Sequence, residues 1–192
     1  YITIRKFITE SGGTVSPEFD EIIKKGAYWN LLMFAPGGTP TAYGDGGPGS
    51  SSLTTRYQQL VDWYGDYELQ YIDTYGTKGI EPSWTSRLYP TSSYAFMRSD
   101  WSNKAHYLFT NVRGGGTHGH YDDNSLIIFA YGRNLICDAG YVSYSGGDER
   151  ALAMSTLNHN TIEINGENQQ SPKTYTLKFD NIGETTAWTA NK

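Results

Sequence analysis

Three of the four histidines in this chain of 192 residues stand in polar, turn-flanked contexts within one region. His118 and His120 form an His-x-His pair just after the triplet Gly114-Gly115-Gly116, and His159 lies in Leu157-Asn158-His159-Asn160-Thr161. In an extended chain, residues two apart project from the same side. That spacing delivers two imidazoles to one centre, or one to a metal and one to a substrate. Asp138 follows the apolar run Leu135-Ile136-Cys137. A carboxylate at the mouth of a buried strand is costly unless it is paired or metal-bound. Two imidazoles and one carboxylate are a familiar zinc set, with water or another group in the fourth position. Taken alone, an His-x-His pair is more often structural, and His106, between Ala105 and Tyr107, is read that way.

The elements that must position these groups change character along the chain. Ser16-Pro17-Glu18 is a helix start, with Ser as N-cap, Pro at the first helical position and Glu18, Asp20 and Glu21 in the first turn. Phe19, Ile22, Ile23, Ala27, Leu31 and Phe34 then follow the helical period, and Pro36-Gly37-Gly38 stops it. After a Gly/Pro/Ser-rich loop over 36–52, a second helical run carries Leu53, Tyr57, Leu60, Val61, Tyr64, Tyr71, Ile72 and Tyr75. Gly65-Asp66 is a break within it, and Gly76 and Gly79 end it.

Beyond Glu81-Pro82-Ser83, which reads as a linker, strands are expected over 94–98, 105–112, 125–131 and 134–138, the last two joined by a tight turn at Gly132-Arg133. A short helix is expected over 148–155. Further strands are expected over 159–165, ending at the hairpin signal Asn165-Gly166, and over 174–180 and 185–189. The expected organisation is α+β in two domains, a helical one over 1–82 and an antiparallel β domain over 83–192.

Composition narrows the function. Tyr supplies 16 of the 28 aromatic rings, which suits a β-rich fold and surfaces that stack against sugars. The net charge is −5 and Lys and Arg are dispersed, so no nucleic-acid footprint is present. Lys24 and Lys25 read as the solvated face of a helix. No apolar run approaches the ~20 residues needed to cross a bilayer. The single cysteine, Cys137, excludes an intrachain disulfide and is expected to be a small buried hydrophobe. The chain opens at Tyr1-Ile2-Thr3-Ile4 without an initiator Met and reads as a piece of a longer protein.

One ordered set of motifs is more specific than any of its parts. Thr117-His118-Gly119-His120-Tyr121-Asp122-Asp123-Asn124-Ser125 is followed by Tyr131-Gly132-Arg133, Asp138-Ala139-Gly140, Arg150, and His159-Asn160-Thr161 with Asn165-Gly166. The set resembles the heparinase II/III-like polysaccharide lyases and is also similar to oligoalginate lyases of the same superfamily. Phe96-Met97-Arg98-Ser99-Asp100-Trp101 resembles that family's opening β-strand. Ala35-Pro36-Gly37-Gly38-Thr39 and Tyr43-Gly44-Asp45 resemble its loop near the end of the helical toroid.

The resemblance implies the last helices of an incomplete α/α toroid followed by the first part of an antiparallel β-sandwich. It implies β-eliminative cleavage of an anionic uronate-containing polysaccharide, and a periplasmic or secreted home. It gives His120, Asp138 and His159 the metal-ligand positions, with Zn2+ the expected ion. It gives His118 the substrate-facing position, and it puts Tyr144, in Tyr141-Val142-Ser143-Tyr144, near a catalytic tyrosine of the oligoalginate lyases. The family's principal catalytic Tyr, with its Asn or His, belongs to the middle of the toroid, a region not found in this chain.

Two other readings compete. A non-catalytic carbohydrate-binding module is suggested by Trp63, Trp84, Trp101 and the tyrosines. A cupin-like metal enzyme also uses His-x-His with a later acid and His. Here that acid would be Asp122 or Asp123, where the cupin pattern has Glu, and the helical first third does not belong to a cupin.

Overall fold

The computed structural model describes residues 1–46, 57–111 and 117–170, together with the backbone of two further strands, Thr176–Ile182 and Thr185–Asn191. It contains two compact units, one of residues Tyr1–Met33 and Leu53–Glu81, the other of Phe34–Ser52 and Pro82–Lys192.

The first unit is helical. α1 (Ile2–Glu10) was not delimited by the sequence pattern; it is held by Arg5, whose Nε stands 2.6 Å from Asp20 Oδ1. α2 (Pro17–Leu32) starts as expected, with the Ser16 hydroxyl accepting from the Phe19 N–H, and it buries Ile23, Ala27, Leu31 and Leu32. The second helical run is two short helices, α3 (Gln58–Tyr64) and α4 (Tyr67–Asp73). Gly65 takes a left-handed conformation (φ 62°) that a side chain adopts only with strain, and Asp66 caps α4 by accepting from the Leu69 N–H. Residues 53–56 of that run lie outside the described residues.

The second unit opens with a two-strand pairing, β1 (Phe34–Ala35) against β2 (Thr39–Pro40). Its main body is an antiparallel five-stranded sheet in sequence order: β3 (Arg87–Tyr89), β4 (Tyr94–Arg98), β5 (Tyr107–Asn111), β6 (Leu126–Ala130) and β7 (Arg133–Ile136). Phe96 sits opposite Phe109, their ring centroids 5.2 Å apart, and both are fully buried with Tyr107. Truncating either ring would remove about 3–5 kcal/mol.

α5 (Asp148–Met154) follows, and β8 (Thr176–Ile182) pairs with β9 (Thr185–Asn191). Residue 112 and the triplet 114–116 lie outside the described residues, as do residues 47–52, 174 and 175.

Three expectations change. β7 is an edge strand, so Cys137 just beyond it and Leu135 within it are exposed rather than buried. The β6–β7 turn is centred one residue earlier than expected, with Tyr131 (φ 56°) and Gly132 (φ 76°) both left-handed, as a tight hairpin with right-twisted strands requires. The segment 159–165 forms no strand in this unit. A 3-10 turn, Thr156–Asn158, precedes it, and only an isolated bridge, Ile164 to Glu167, closes around the left-handed pair Asn165-Gly166. The alternation there comes from His159 turning in to Asp138 and Thr161 to the Asp123 carbonyl.

Two packing devices bring remote loops to the sheet end. Tyr43 lays its ring edge-on to Phe109 (5.1 Å) and accepts a 2.6 Å hydrogen bond from Asn111 Nδ2. That pins the loop two residues before Asp45. At Gly140 (φ 66°) an added Cβ would lie 2.3 Å from the Gly46 carbonyl, so this close approach requires glycine.

Candidate active site

The site grows from the turn over 117–123. Thr117–Gly119 is a 3-10 turn and not an extended strand, and His118 adopts a left-handed conformation (φ 57°, ψ 29°). Such a non-glycine residue carries strain of about 1–3 kcal/mol and needs surrounding contacts to hold it. The two rings therefore meet different fates. His120 is fully buried, whereas the His118 side chain is 62% exposed. The turn is tied to the end of α5 and the chain just beyond it: the Tyr121 N–H donates to the Met154 carbonyl, and the Tyr121 carbonyl accepts from the Thr156 hydroxyl. Asp123 is held the same way, its carbonyl accepting from the Thr161 hydroxyl and from Gln169 Nε2.

Asp45 is the hub. Its Oδ1 lies 2.5 Å from Arg150 NH1 and 3.0 Å from His120 Nε2, and its Oδ2 lies 3.3 Å from both Arg150 NH2 and His118 Nδ1. The Arg150 hydrogen bond above all, with help from His120 and Tyr144, keeps this carboxyl well below the usual range although burial opposes it. Arg150 NH2 also makes a long 3.5 Å contact with the His118 carbonyl, and its guanidinium faces the Tyr144 ring at 5.2 Å. Tyr144 is 66% exposed, and its hydroxyl is pushed up first by its bond to Asp45.

The chain of contacts continues inward. His120 Nδ1 faces His159 Nε2 at 3.2 Å, and His159 Nδ1 lies 2.7 Å from Asp138 Oδ2. The other Asp138 oxygen accepts from the Gly140 N–H at 3.0 Å. Burial pulls His120 downward. For His159 burial is also the largest single influence, but Asp138 and then Asp122 outweigh it and the net shift is upward. Asp122 is fully buried, and among the described residues neither carboxylate oxygen has a hydrogen-bond partner. Burial first, and the nearby Asp138 and Asp123 next, push it up to about 6.

This constellation lies within residues 81–186, the span matched by the heparinase II/III-like, C-terminal family, apart from the loop that supplies Asp45. The chain belongs to the heparinase II/III-like family. A curated relative, the heparin-sulfate lyase of Pedobacter heparinus, is 25% identical over 135 residues, covering 65% of this chain and 20% of that protein. Among solved structures, heparan sulfate lyase HepC from the same organism superposes with a TM-score of 0.74 at 20% identity, over 86% of this chain and 27% of that one. Heparinase III superposes with a TM-score of 0.74 at 20% identity, over 87% and 29%. The chain thus spans about a fifth of the length of the curated relative it matches. The structural likeness shows the fold, an antiparallel sheet region of the heparinase type with accompanying helices.

In this member of the heparinase II/III-like family, all five residues singled out in the sequence converge, but in two layers. His118 and Tyr144 stand on the exposed side of Asp45, and His120, His159 and Asp138 run inward as a relay. Among the described residues, no group of three or more His, Cys, Asp or Glu side chains is arranged as a ready metal cage.

The relay nonetheless has a property that suits a cation. With Asp45 accepting from His120 Nε2–H and Asp138 from His159 Nδ1–H, the two remaining nitrogens turn lone pairs toward each other at 3.2 Å. That arrangement requires a shared proton or a cation between them. The unpartnered carboxylate of Asp122 adds negative charge nearby. Two of the three expected donors, His120 Nδ1 and His159 Nε2, therefore face one gap, while Asp138 is turned to the far nitrogen of His159.

Asp45 and Arg150 carried no assigned role in the sequence reading. The only signals were their places in Tyr43-Gly44-Asp45 and after the 138–140 motif, and nothing in spacing ties together residues 105 positions apart.

Proposed function

We propose that the full-length protein is a polysaccharide lyase that cleaves a uronate-containing polysaccharide by β-elimination, and that this chain supplies the β-sandwich half of its active site. The observation that carries the reading is the exposed His118 held beside Asp45, Arg150 and Tyr144 in a chain of this family. In this reading the helical unit is the end of the α/α toroid, and the rest of the catalytic apparatus belongs to the remaining length of the protein.

β-Elimination removes the weakly acidic proton at C5, beside the uronate carboxylate, and expels the oxygen at C4. Three things are needed: a donor that stabilises the charge developing on the carboxylate, a base at C5 and an acid at the leaving oxygen. Arg150 is committed to Asp45, so it does not neutralise substrate. His118 meets the first or second need, as a hydrogen-bond donor to the carboxylate or as a proton carrier. In this reading Tyr144, exposed beside Arg150, would serve at the leaving oxygen.

His120, His159 and Asp138 would hold a zinc ion, or another divalent ion. Bound there, it would fix the 117–123 turn and so the place of His118. The named relatives point to heparin or heparan sulfate as the first substrates to try. Periplasmic or secreted placement goes with such substrates.

The test is a panel of polyuronates (heparan sulfate, heparin, alginate and others) given to the full-length protein and read by the ultraviolet absorbance of the unsaturated product. Growth of that absorbance on at least one polymer is expected. Binding without absorbance on every polymer would replace the lyase by the carbohydrate-binding reading.

A further inference from the structure

We propose that Asp45, clamped by Arg150, is the positioning residue of His118: it accepts the Nδ1 proton and leaves Nε2 of the same ring bare toward substrate. The inference deepens the lyase reading and rests on it for its kinetic arm only.

Three observations carry it. First, His118 sits in a left-handed turn that its own sequence does not favour, with its ring largely exposed. An exposed ring on a strained turn adopts one orientation only if something outside the turn holds it. Asp45 Oδ2 lies 3.3 Å from Nδ1 of that ring, within ion-pair reach of it.

Second, Asp45 is itself tethered. Its side chain is 8% exposed, it takes two contacts from the Arg150 guanidinium and one from His120, and its loop is anchored by Tyr43 and by the close approach of Gly46 to Gly140. A carboxylate so tethered dictates geometry to the flexible partner rather than following it. Third, Arg150 touches the His118 carbonyl as well as Asp45, so one guanidinium registers the backbone and the ring of the same residue.

The consequence is a fixed tautomer. A carboxylate beside Nδ1 holds the proton there, and the opposite nitrogen keeps its lone pair for the reacting proton. A ring left to choose spends part of its time in the wrong tautomer and most of it in the wrong orientation. Losing the orienting acid of an acid–base histidine then shows in turnover and not in substrate binding.

The experiment uses the full-length protein, zinc-saturated, with histidine nitrogens labelled. The wild-type spectrum at about pH 8 should show His118, assigned by its loss in His118→Gln, as the Nδ1–H tautomer with Nε2 unprotonated. In Asp45→Asn that signal should shift to mixed tautomers, kcat should fall about 100-fold or more, and KM should stay within about threefold. Arg150→Lys, which retains a cation for Asp45 but loses the two-point clamp and the contact to the His118 carbonyl, should partly mix the tautomers and lower kcat by less than Asp45→Asn does, with KM again within about threefold.

A wild-type His118 in the Nε2–H tautomer overturns the proposal, even if Asp45→Asn cannot be folded. So does an Asp45→Asn protein with unchanged kcat, or one whose loss is all in KM. A wild-type protein inactive on every polyuronate would end the lyase reading, while the tautomer spectrum would still decide the role of Asp45.

Discussion

Each unit of the molecule holds an aspartate–arginine–tyrosine set, and only one of the two reaches a histidine. In the helical unit, Asp20 receives Arg5 at 2.6 and 3.3 Å and the Tyr64 hydroxyl at 2.5 Å, while the Arg5 guanidinium lies 4.2 Å from the Trp63 ring centre. In the sheet unit, Asp45 receives Arg150 at 2.5 and 3.3 Å, with Tyr144 beside them. Both carboxyls are held below their ordinary range, chiefly by the arginine.

The shared chemistry shows that a depressed carboxylate does not by itself mark a functional site. The first set ties α1 to α2 and α3, and its members have no further reactive partner in the contacts described. The second set adds two imidazoles, one sealed and one open to solvent. The open ring is what turns a staple into a candidate site.

The sharpest way to break this contrast is to remove that ring. On the proposed lyase and metal readings, His118→Ala in the full-length protein should lower turnover by about 10²–10⁴-fold, the range of a lost acid–base group, and leave metal content unchanged. Turnover within twofold of wild type would remove His118 from the chemistry and reduce the Asp45 set to a second staple.

Much of this was legible in the residues, and the divide is physical. Capping and periodicity announced α2, the break at Gly65-Asp66, the strands β4 to β7 and the short helix α5, because those signals are local. The histidines drew notice through their polar context, but the extended stretch their spacing suggested is a 3-10 turn that sends His118 outward and His120 inward. Asp45 and Arg150 were not, because their pairing is a tertiary event between a loop and a helix, and neither lies on a period. The expected strand over 159–165 failed for a related reason. His159 and Thr161 face inward to Asp138 and to the Asp123 carbonyl, and alternation produced by docking polar side chains looks like alternation produced by a pleat.

A third carboxylate extends the comparison in the opposite direction. Asp122 is buried like Asp45 but its carboxylate has no hydrogen-bond partner among the described residues, and its carboxyl rises to about 6 instead of falling. A raised acid favours the protonated folded state. Its cost is therefore absent below about pH 4, grows as pH rises from there to 6, and is then constant, at most about 3 kcal/mol. Asp122→Asn should raise the melting temperature of chelator-treated protein at neutral pH and leave it unchanged at acid pH. In zinc-loaded protein the sign should reverse, because the carboxylate then faces a cation. Melting curves with and without metal check both signs, and an Asn variant less stable than wild type in the metal-free protein would show that Asp122 has partners after all.

Asp20 should show the converse slope and the smallest effect of the three. Its carboxyl is lowered in the folded state, first by Arg5 and then, against burial, by Tyr64. The stability it contributes is present above the unfolded value near 3.8 and is lost as pH falls through the folded one. Partial exposure of both partners and solvent screening keep the contribution at about 1–2 kcal/mol. Asp20→Asn should lower stability by that amount at neutral pH, flatten the acid limb below about pH 4, and leave kcat, KM and zinc content unchanged. Denaturant titrations at several pH values read the slope, and the polyuronate assay reads the rest. A loss of turnover in Asp20→Asn would mean that the helical set serves the chemistry too, and the division between staple and site would have to be redrawn.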